Sequence, residues 1–386
     1  MATTDPTGDL WAYAASFLPN DLDDRARRTG ALVRCRGIGD AKSLLRVLLC
    51  CALPGGSLRT ASAWCSAASF ATITAEGLFY RMRIAVDFLA EVLGYLVLQW
   101  RNVPCSRRVV IADASVLCGP ASKGTDWRVH ALYDPARAVP LEFQVHDCRK
   151  GETLMNYDLR KGDLVLGDRG YGHFRGFVPA LQKGADALIR VETSNMSLFD
   201  LKGNKIRLAS LEQHVPAAGT ADVWLVWLSP DKQSCIKVRL IGIDTRSSGV
   251  CWLVTNLDSA ALSNDEASDL YRMRWQIELL FKRLKSQLGL DDLRSREGPT
   301  AKAFIYAKLI TAVLALRLSN DEESFSPYGY QSSQGANQPL ETLSVCPERH
   351  LRSSAGRRQM DTRRPMASQT TFKYEDEKEL CSTAIA

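Results

Sequence analysis

The stretch YRMRWQIELLFKRLKS, Tyr271 to Ser286, sets a single acid, Glu278, among arginines and lysines. At the angular step of an α-helix, Tyr271, Arg274, Glu278 and Lys285 fall within an arc of about 60°. Met273, Ile277, Leu280, Leu284 and Leu288 share another face, which suits packing on a core. A carboxylate in such company can hold a hard divalent cation. The cations beside it suit a phosphate backbone, with Arg274 gripping bidentately and Lys285 acting as a point charge. Glu278 and Lys285 stand about 10 Å apart along the axis, more than one phosphate of an extended strand. The plainer alternative is a surface helix in which Glu278 pairs with Arg274 or Lys282 at i±4.

One Glu cannot hold two cations, so further carboxylates are needed. Asp113 ends the apolar run RRVVIADAS, and Asp168 with Gly170 ends DLVLGDRGY. Both runs read as buried strands, and carboxylates at strand ends can converge on one edge of a sheet. A helix packed across that sheet would add Glu278. Two metals about 4 Å apart could then activate a water or a 3′-hydroxyl and stabilise the leaving oxygen. Against this, an Asp after a strand is commonly a turn or cap residue.

The elements that must position these groups follow from periodicity. Residues 1–100 read as helical, with Asp40 capping DAKSLLRVLLC. SLRTASAWCSAASFATITAEGLFYRMRIAVDFL gives two helices turned near Ser69–Thr74, the outline of a helix-turn-helix with Tyr80, Arg81 and Arg83 on the second. An ordinary helical bundle is the competing reading. Residues 107–192 follow a βββαβαβ order, a mixed α/β layer structure: a hairpin in DWRVHALYDPARAVPLEFQVHD, a short helix in GETLMNYDL, and a helix in FRGFVPALQKG stopped by Gly184. Residues 193–260 look all-β, with ADVWLVWLS, SCIKVRLIGID and GVCWLVTNL as strands. Residues 261–318 return to helix, first as one long helix opened by a Ser263/Glu266 capping box and closed near Gly289. Residues 319–386 are polar and aperiodic and are expected to be disordered.

A net charge of +6 permits nucleic-acid binding without requiring it. The eleven cysteines form no Cys-x-x-Cys pair and no zinc-spaced cluster, so zinc-finger chemistry is excluded and idle thiols in a reducing cytoplasm are expected. No apolar run has the length of a membrane span, and VLLCCAL reads as part of a core helix. His130, His146, Asp126 and Asp134 lie near the first Asp and read as core, turn or substrate-side residues rather than ligands.

Asp113, Asp168 and Glu278, with the spacing Tyr271-(2)-Arg274-(3)-Glu278-(6)-Lys285, resemble the DDE transposases of bacterial insertion sequences. GTDWRVH, GDRGY, RWQIELLFKRLKS, LLRVLL and GGSLRTASAW look similar to the same group, and the likeness covers roughly residues 15–318. The resemblance implies an α/β fold with an RNase H-like core. A β-rich insertion would interrupt that core between the second Asp and the Glu, and an all-helical DNA-binding domain would precede it. It implies Mg²⁺ or Mn²⁺, two ions, on Asp113, Asp168 and Glu278. It implies nicking at transposon ends and strand transfer by the freed 3′-hydroxyl. DNA contacts would come from Tyr271, Arg274, Lys285 and Arg169, with the chain a homodimer on DNA in the bacterial cytoplasm and nucleoid. A Trp of the insertion would hold a flipped base, with Trp224, Trp227 and Trp252 as candidates. Three residues apart on a strand, Trp224 and Trp227 face opposite sides, and the alternative is that all three are core aromatics. Two other classes stay open: a metal-dependent structure-selective nuclease without strand transfer, and a non-catalytic DNA-binding repressor.

Overall fold

The computed structural model describes residues 6–101, 108–192, 196–207, 209–246 and 249–325. The expected polar tail lies outside these from 326 onward. Its first part does not behave as tail, because the last helix continues to Phe325.

Six helices open the chain: α1 (Pro6–Ser16), α2 (Leu22–Arg28), α3 (Ala41–Ala52), α4 (Leu58–Ala67), α5 (Ala75–Ile84) and α6 (Val86–Arg101). Local side chains fix their starts. The Asp40 carboxylate accepts from the Ser43 N–H, Ser57 and Thr60 form a reciprocal box, and Thr74 accepts from Gly77. The predicted helix pair around Ser69–Thr74 is present, but its second member stops at Ile84. Ala85 closes α5 through Met82 and accepts the first bond of the next helix from Leu89. No Gly or Pro marks that break, so periodicity ran through it.

Ten strands form one mixed sheet among the described residues, in the order β3-β2-β1-β4-β5-β10-β9-β8-β6-β7. The first five are β1 (Val109–Leu117), β2 (Trp127–Asp134), β3 (Val139–Asp147), β4 (Leu164–Gly167) and β5 (Asp186–Val191). β1, β4 and β5 run parallel, and β2 and β3 run antiparallel at one edge. Helix α7 (Phe174–Gln182) carries the crossover from β4 to β5. The later strands are β6 (Ser197–Phe199), β7 (Lys205–Ile206), β8 (Thr220–Leu228), β9 (Cys235–Asp244) and β10 (Val250–Thr255). They join edge to edge, because β10 pairs antiparallel with β5. A four-residue helix, α8 (Ala209–Glu212), precedes β8. The helix expected in GETLMNYDL is a single 3₁₀ turn, Leu154–Asn156.

Strand alternation divides the core in two. Ile111, Leu117, Val129, Ala131 and Leu166 face the helical side with α3, α6 and α11 (Gly298–Phe325). Val110, Ala112, Leu132, Val165 and Ile189 face the side covered by α7. Asp113 and Ser115 therefore project onto the helical side. The strand expected to end at Asp113 in RRVVIADAS runs on, as β1, to Leu117. Pairing with β2 continues through Leu117↔Trp127, while the ladder to β4 stops at Ile111↔Leu166. Polar residues in a strand interior gave no propensity signal for that continuation.

The expected single helix after Ser263 is two, α9 (Asn264–Arg272) and α10 (Trp275–Leu288). The Ser263/Glu266 capping box is formed, and Gly289 ends α10 in the left-handed region at φ 57. Between them the bonds tighten to i→i−3, with Met273 donating to Leu270, Arg274 to Tyr271 and Ile277 to Arg274. In such a turn residues three apart eclipse, which stacks Arg274 over Tyr271. Among the described residues no helix is long and apolar enough to cross a membrane.

Candidate active site

Asp113 lies mid-strand in β1, at the point where β4 has ceased to pair with it. Its carboxylate accepts from the Ala114 N–H at 2.8 Å. Burial pushes its pKa up to about 7; the charges of Asp168 and Glu152 add to the rise, while Ala114 and Arg274 oppose it. Asp168 follows β4 directly and caps a 3₁₀ turn, Arg169–Tyr171, by accepting from the Gly170 N–H at 2.9 Å. The two aspartates are thus adjacent strand positions whose charges feel one another.

Helix α10 lies across β1 and closes a cleft of about 550 Å³. Asp113, Ser115, Glu278, Lys282 and Lys285 line it. The structure therefore brings together Asp113 of the sheet and Glu278 of the helix, with lysines on the same wall. The Lys285 ammonium reaches to 3.5 Å from the Val116 carbonyl. Glu278 is half exposed, and its carboxylate is engaged by Arg274 one turn earlier. The Arg274 guanidinium lies 5.7 Å from the Tyr271 ring centroid, and its Nε is buried without a partner. Arg274 thus lies among Tyr271, Glu278 and Asp113.

The donor chemistry fits a hard divalent cation: carboxylates, with that of Asp113 raised in pKa by burial and then by its acidic neighbours. Among the described residues, however, no three His, Cys, Asp or Glu side chains stand together as a closed metal cage. Glu278 is held by Arg274 instead.

Sequence reading missed Glu152. Its carboxyl pKa is raised by burial and then by Asp168, and its side chain reaches Arg128 at 3.6 Å. The available signal was Gly170 in GDRGY, where a Cβ would stand 1.7 Å from a Glu152 oxygen. Absence of a side chain there is what admits the second acid.

Several expected DNA contacts are placed otherwise. Trp227 is 2% exposed and packs on Phe174 and Phe177, and Trp252 is also buried, so both are core aromatics rather than free stacking platforms. Trp224 is half-buried, with the Lys237 ammonium 5.0 Å from its ring centroid. Arg81 does not project freely from α5, because its guanidinium donates to the Ala31 and Arg34 carbonyls. Arg83 is ion-paired with Glu297 at 2.8 Å. Arg169 is half exposed, with Glu192 at 4.0 Å. His130 is fully buried with its pKa depressed to about 4, first by burial and then by His146. Asp126 accepts from the Gly119 N–H, and Asp134 binds Arg137.

Residues 104–314 match the family model described as the transposase DDE domain. The InsL protein of insertion sequence element IS186A from Escherichia coli K12 is 30% identical over 356 residues, 83% of this chain and 96% of its own. The transposase for insertion sequence element IS421 of Escherichia coli is 30% identical over 358 residues, with the same coverage. A solved structure of piggyBac transposase in a synaptic complex with hairpin DNA, 9% identical, covers 88% of this chain and 91% of its own at a TM-score of 0.43, too loose a likeness to bear on the fold. Through the domain match and the insertion-sequence relatives alike, the chain belongs to the DDE transposase family.

Proposed function

We propose that this chain nicks the ends of an insertion sequence and joins the freed 3′-hydroxyl to target DNA, with Asp113, Asp168 and Glu278 as its metal-holding carboxylates. The observation that carries the reading is the cleft in which Asp113 of β1 faces Glu278 of α10 beside Lys282 and Lys285. We read β1 to β5 with α7 as an RNase H-like core, since three parallel strands flanked by an antiparallel pair set the first two acids on neighbouring strands. The later strands are then the insertion, and α1 to α6 the helices presented to end DNA.

The side chains divide the work by charge. Arg274 and Tyr271 take a phosphate at the mouth of the cleft, and Lys285 takes the next. Moving Arg274 onto a phosphate frees Glu278 to turn toward Asp113 and Asp168. Asp113, protonated near neutrality in the bare cleft, gives up its proton when positive charge arrives beside it. Divalent ions, Mg²⁺ or Mn²⁺, are the family's usual cofactors and, bound there, supply the Lewis acidity for an in-line displacement at phosphorus. DNA and a second copy of the chain are the partners this reading requires.

The test combines protein, Mg²⁺, labelled inverted-repeat ends and a target plasmid. The expected outcome is nicked ends and a joined product. Glu278→Gln should lose both while keeping DNA affinity within about twofold, since the substitution removes one charge outside the phosphate contacts. Cleavage without joining would leave a nuclease. End binding with no nicking by the parent protein would leave a repressor.

A further inference from the structure

Behind the cleft, on the opposite side of the sheet, lie two buried phenols that nothing in the chemistry above uses. Tyr157 is 1% exposed and Tyr171 0%. Their hydroxyls are 2.5 Å apart, and the Tyr157 hydroxyl donates to the main-chain carbonyl of Asp113 at 3.0 Å. A phenol has one proton. With that of Tyr157 committed to Asp113, Tyr171 must be the donor to Tyr157. The His130 Nδ1 stands 3.5 Å from the same Tyr157 oxygen.

The ends of this chain of hydrogen bonds are informative. One is the backbone of Asp113, two residues beyond the last β1–β4 pair, where the neighbouring strand no longer holds β1 in place. The other is the last residue of the 3₁₀ turn that Asp168 caps. The two aspartates thus sit where the sheet opens, and the hydroxyl pair bridges that opening from below. Packing alone would be served by Phe at either position, whereas a buried hydroxyl costs free energy unless it is bonded.

We propose that Tyr157 and Tyr171 are positioning residues whose hydroxyl pair sets the Asp113 main chain against the Asp168 turn and so fixes the spacing of the two carboxylates. The inference rests on the reading of Asp113 and Asp168 as the metal-holding pair. The ring of each Tyr supplies core packing, and its oxygen supplies register.

The experiment removes the oxygens and keeps the rings. Tyr157→Phe and Tyr171→Phe in the full chain are titrated with Mn²⁺, following free Mn²⁺ by electron paramagnetic resonance, beside thermal unfolding without metal. Outer-shell substitutions of this type weaken metal affinity by about 10–100-fold. A rise in Kd of about tenfold or more is expected for Tyr157→Phe, with a smaller rise for Tyr171→Phe, which leaves the bond to Asp113 in place. Should Tyr157→Phe fail to fold, Tyr171→Phe carries the test. A lowered Tm with Mn²⁺ affinity within about twofold of the parent would assign both residues to packing and overturn the proposal. Failure of the parent protein to bind Mn²⁺ both alone and with a short inverted-repeat duplex, beyond the ions the duplex takes up by itself, would overturn the metal reading itself, and this inference with it.

Discussion

Asp113→Asn should make the metal-free protein more stable at pH 8 while removing cleavage. In the folded chain Asp113 keeps its proton up to about pH 7; unfolded, it releases the proton near the ordinary value of 3.8. Between those values the folded state binds more protons than the unfolded state, so stability falls as pH rises. The loss begins near pH 4 and is complete above about pH 7. A rise from 3.8 to about 7, at about 1.36 kcal/mol per pH unit, amounts to about 4 kcal/mol. Asn carries no charge at any pH and keeps an oxygen for the Ala114 N–H, but its amide protons need partners in the cleft. That reduces the expected gain to about 2–3 kcal/mol. At about 2 °C per kcal/mol, Tm rises by roughly 4–6 °C at pH 8. The assay is thermal unfolding of both proteins in chelator from pH 4 to 8. At the acid end, where only the amide cost remains, the variant's Tm should lie slightly below the parent's; the curves should cross as pH rises and then separate, with the variant higher at pH 8. Adding Mg²⁺ should then raise the parent's Tm and narrow the gap. Curves that stay parallel from pH 4 to 8, or a variant less stable at pH 8, would refute the argument that Asp113 is an uncompensated buried charge.

Three further outcomes follow from other parts of the structure. Trp227→Ala should cost about 3–5 kcal/mol in urea unfolding, since the ring is enclosed by Phe174 and Phe177; Trp224→Ala, half-buried, should cost about 1 kcal/mol or less. Lys308→Met should destabilise by about 1–3 kcal/mol, because the buried ammonium donates to the Gly289 and Asp292 carbonyls just beyond α10. Gly170→Ala should drive Glu152 from its place; combined with Glu152→Ala it should recover stability, giving a double-mutant coupling of about 1 kcal/mol or more in urea titrations.

What could be read in the residues was local. The Asp40 cap, the Ser263/Glu266 box, the left-handed Gly289 and the Gly184 stop are short-range hydrogen-bond and backbone effects, and each is where periodicity and composition put it. The β2–β3 hairpin, β4 with Asp168 at its end, α7 and β5 were legible because strand and helix periods differ clearly over those runs. That Asp113 and Glu278 line one cleft agrees with the expectation that a helix packs its Glu across the sheet, although Asp113 lies within its strand rather than at its end. The misplaced DNA contacts depended on distant neighbours. Arg81 is claimed by carbonyls about fifty residues earlier in the chain, and Arg83 by Glu297. Trp227 is enclosed by α7. Tyr157 and Tyr171 gain meaning only once the sheet sets them beneath Asp113. No spacing rule encodes those meetings.

The break at Met273–Arg274 is local, yet it carries no Gly or Pro signal, and it bears directly on the chemistry. YRMRW holds neither Pro nor Gly, yet the tightened turn rotates Tyr271 under Arg274 and aims the guanidinium at Glu278. The pairing that competed with a catalytic role for Glu278 is therefore formed in the DNA-free chain. It does not exclude that role. An i,i+4 pair whose carboxylate is half exposed contributes about 0.3–0.5 kcal/mol, whereas a charge-assisted bidentate bond from arginine to phosphate is among the stronger contacts available. A phosphate entering the cleft thus has little to displace. On the proposed reading, the open arrangement of the carboxylates and the Arg274–Glu278 pair are one property: the acids stay apart while Arg274 lacks a phosphate, and converge when it finds one.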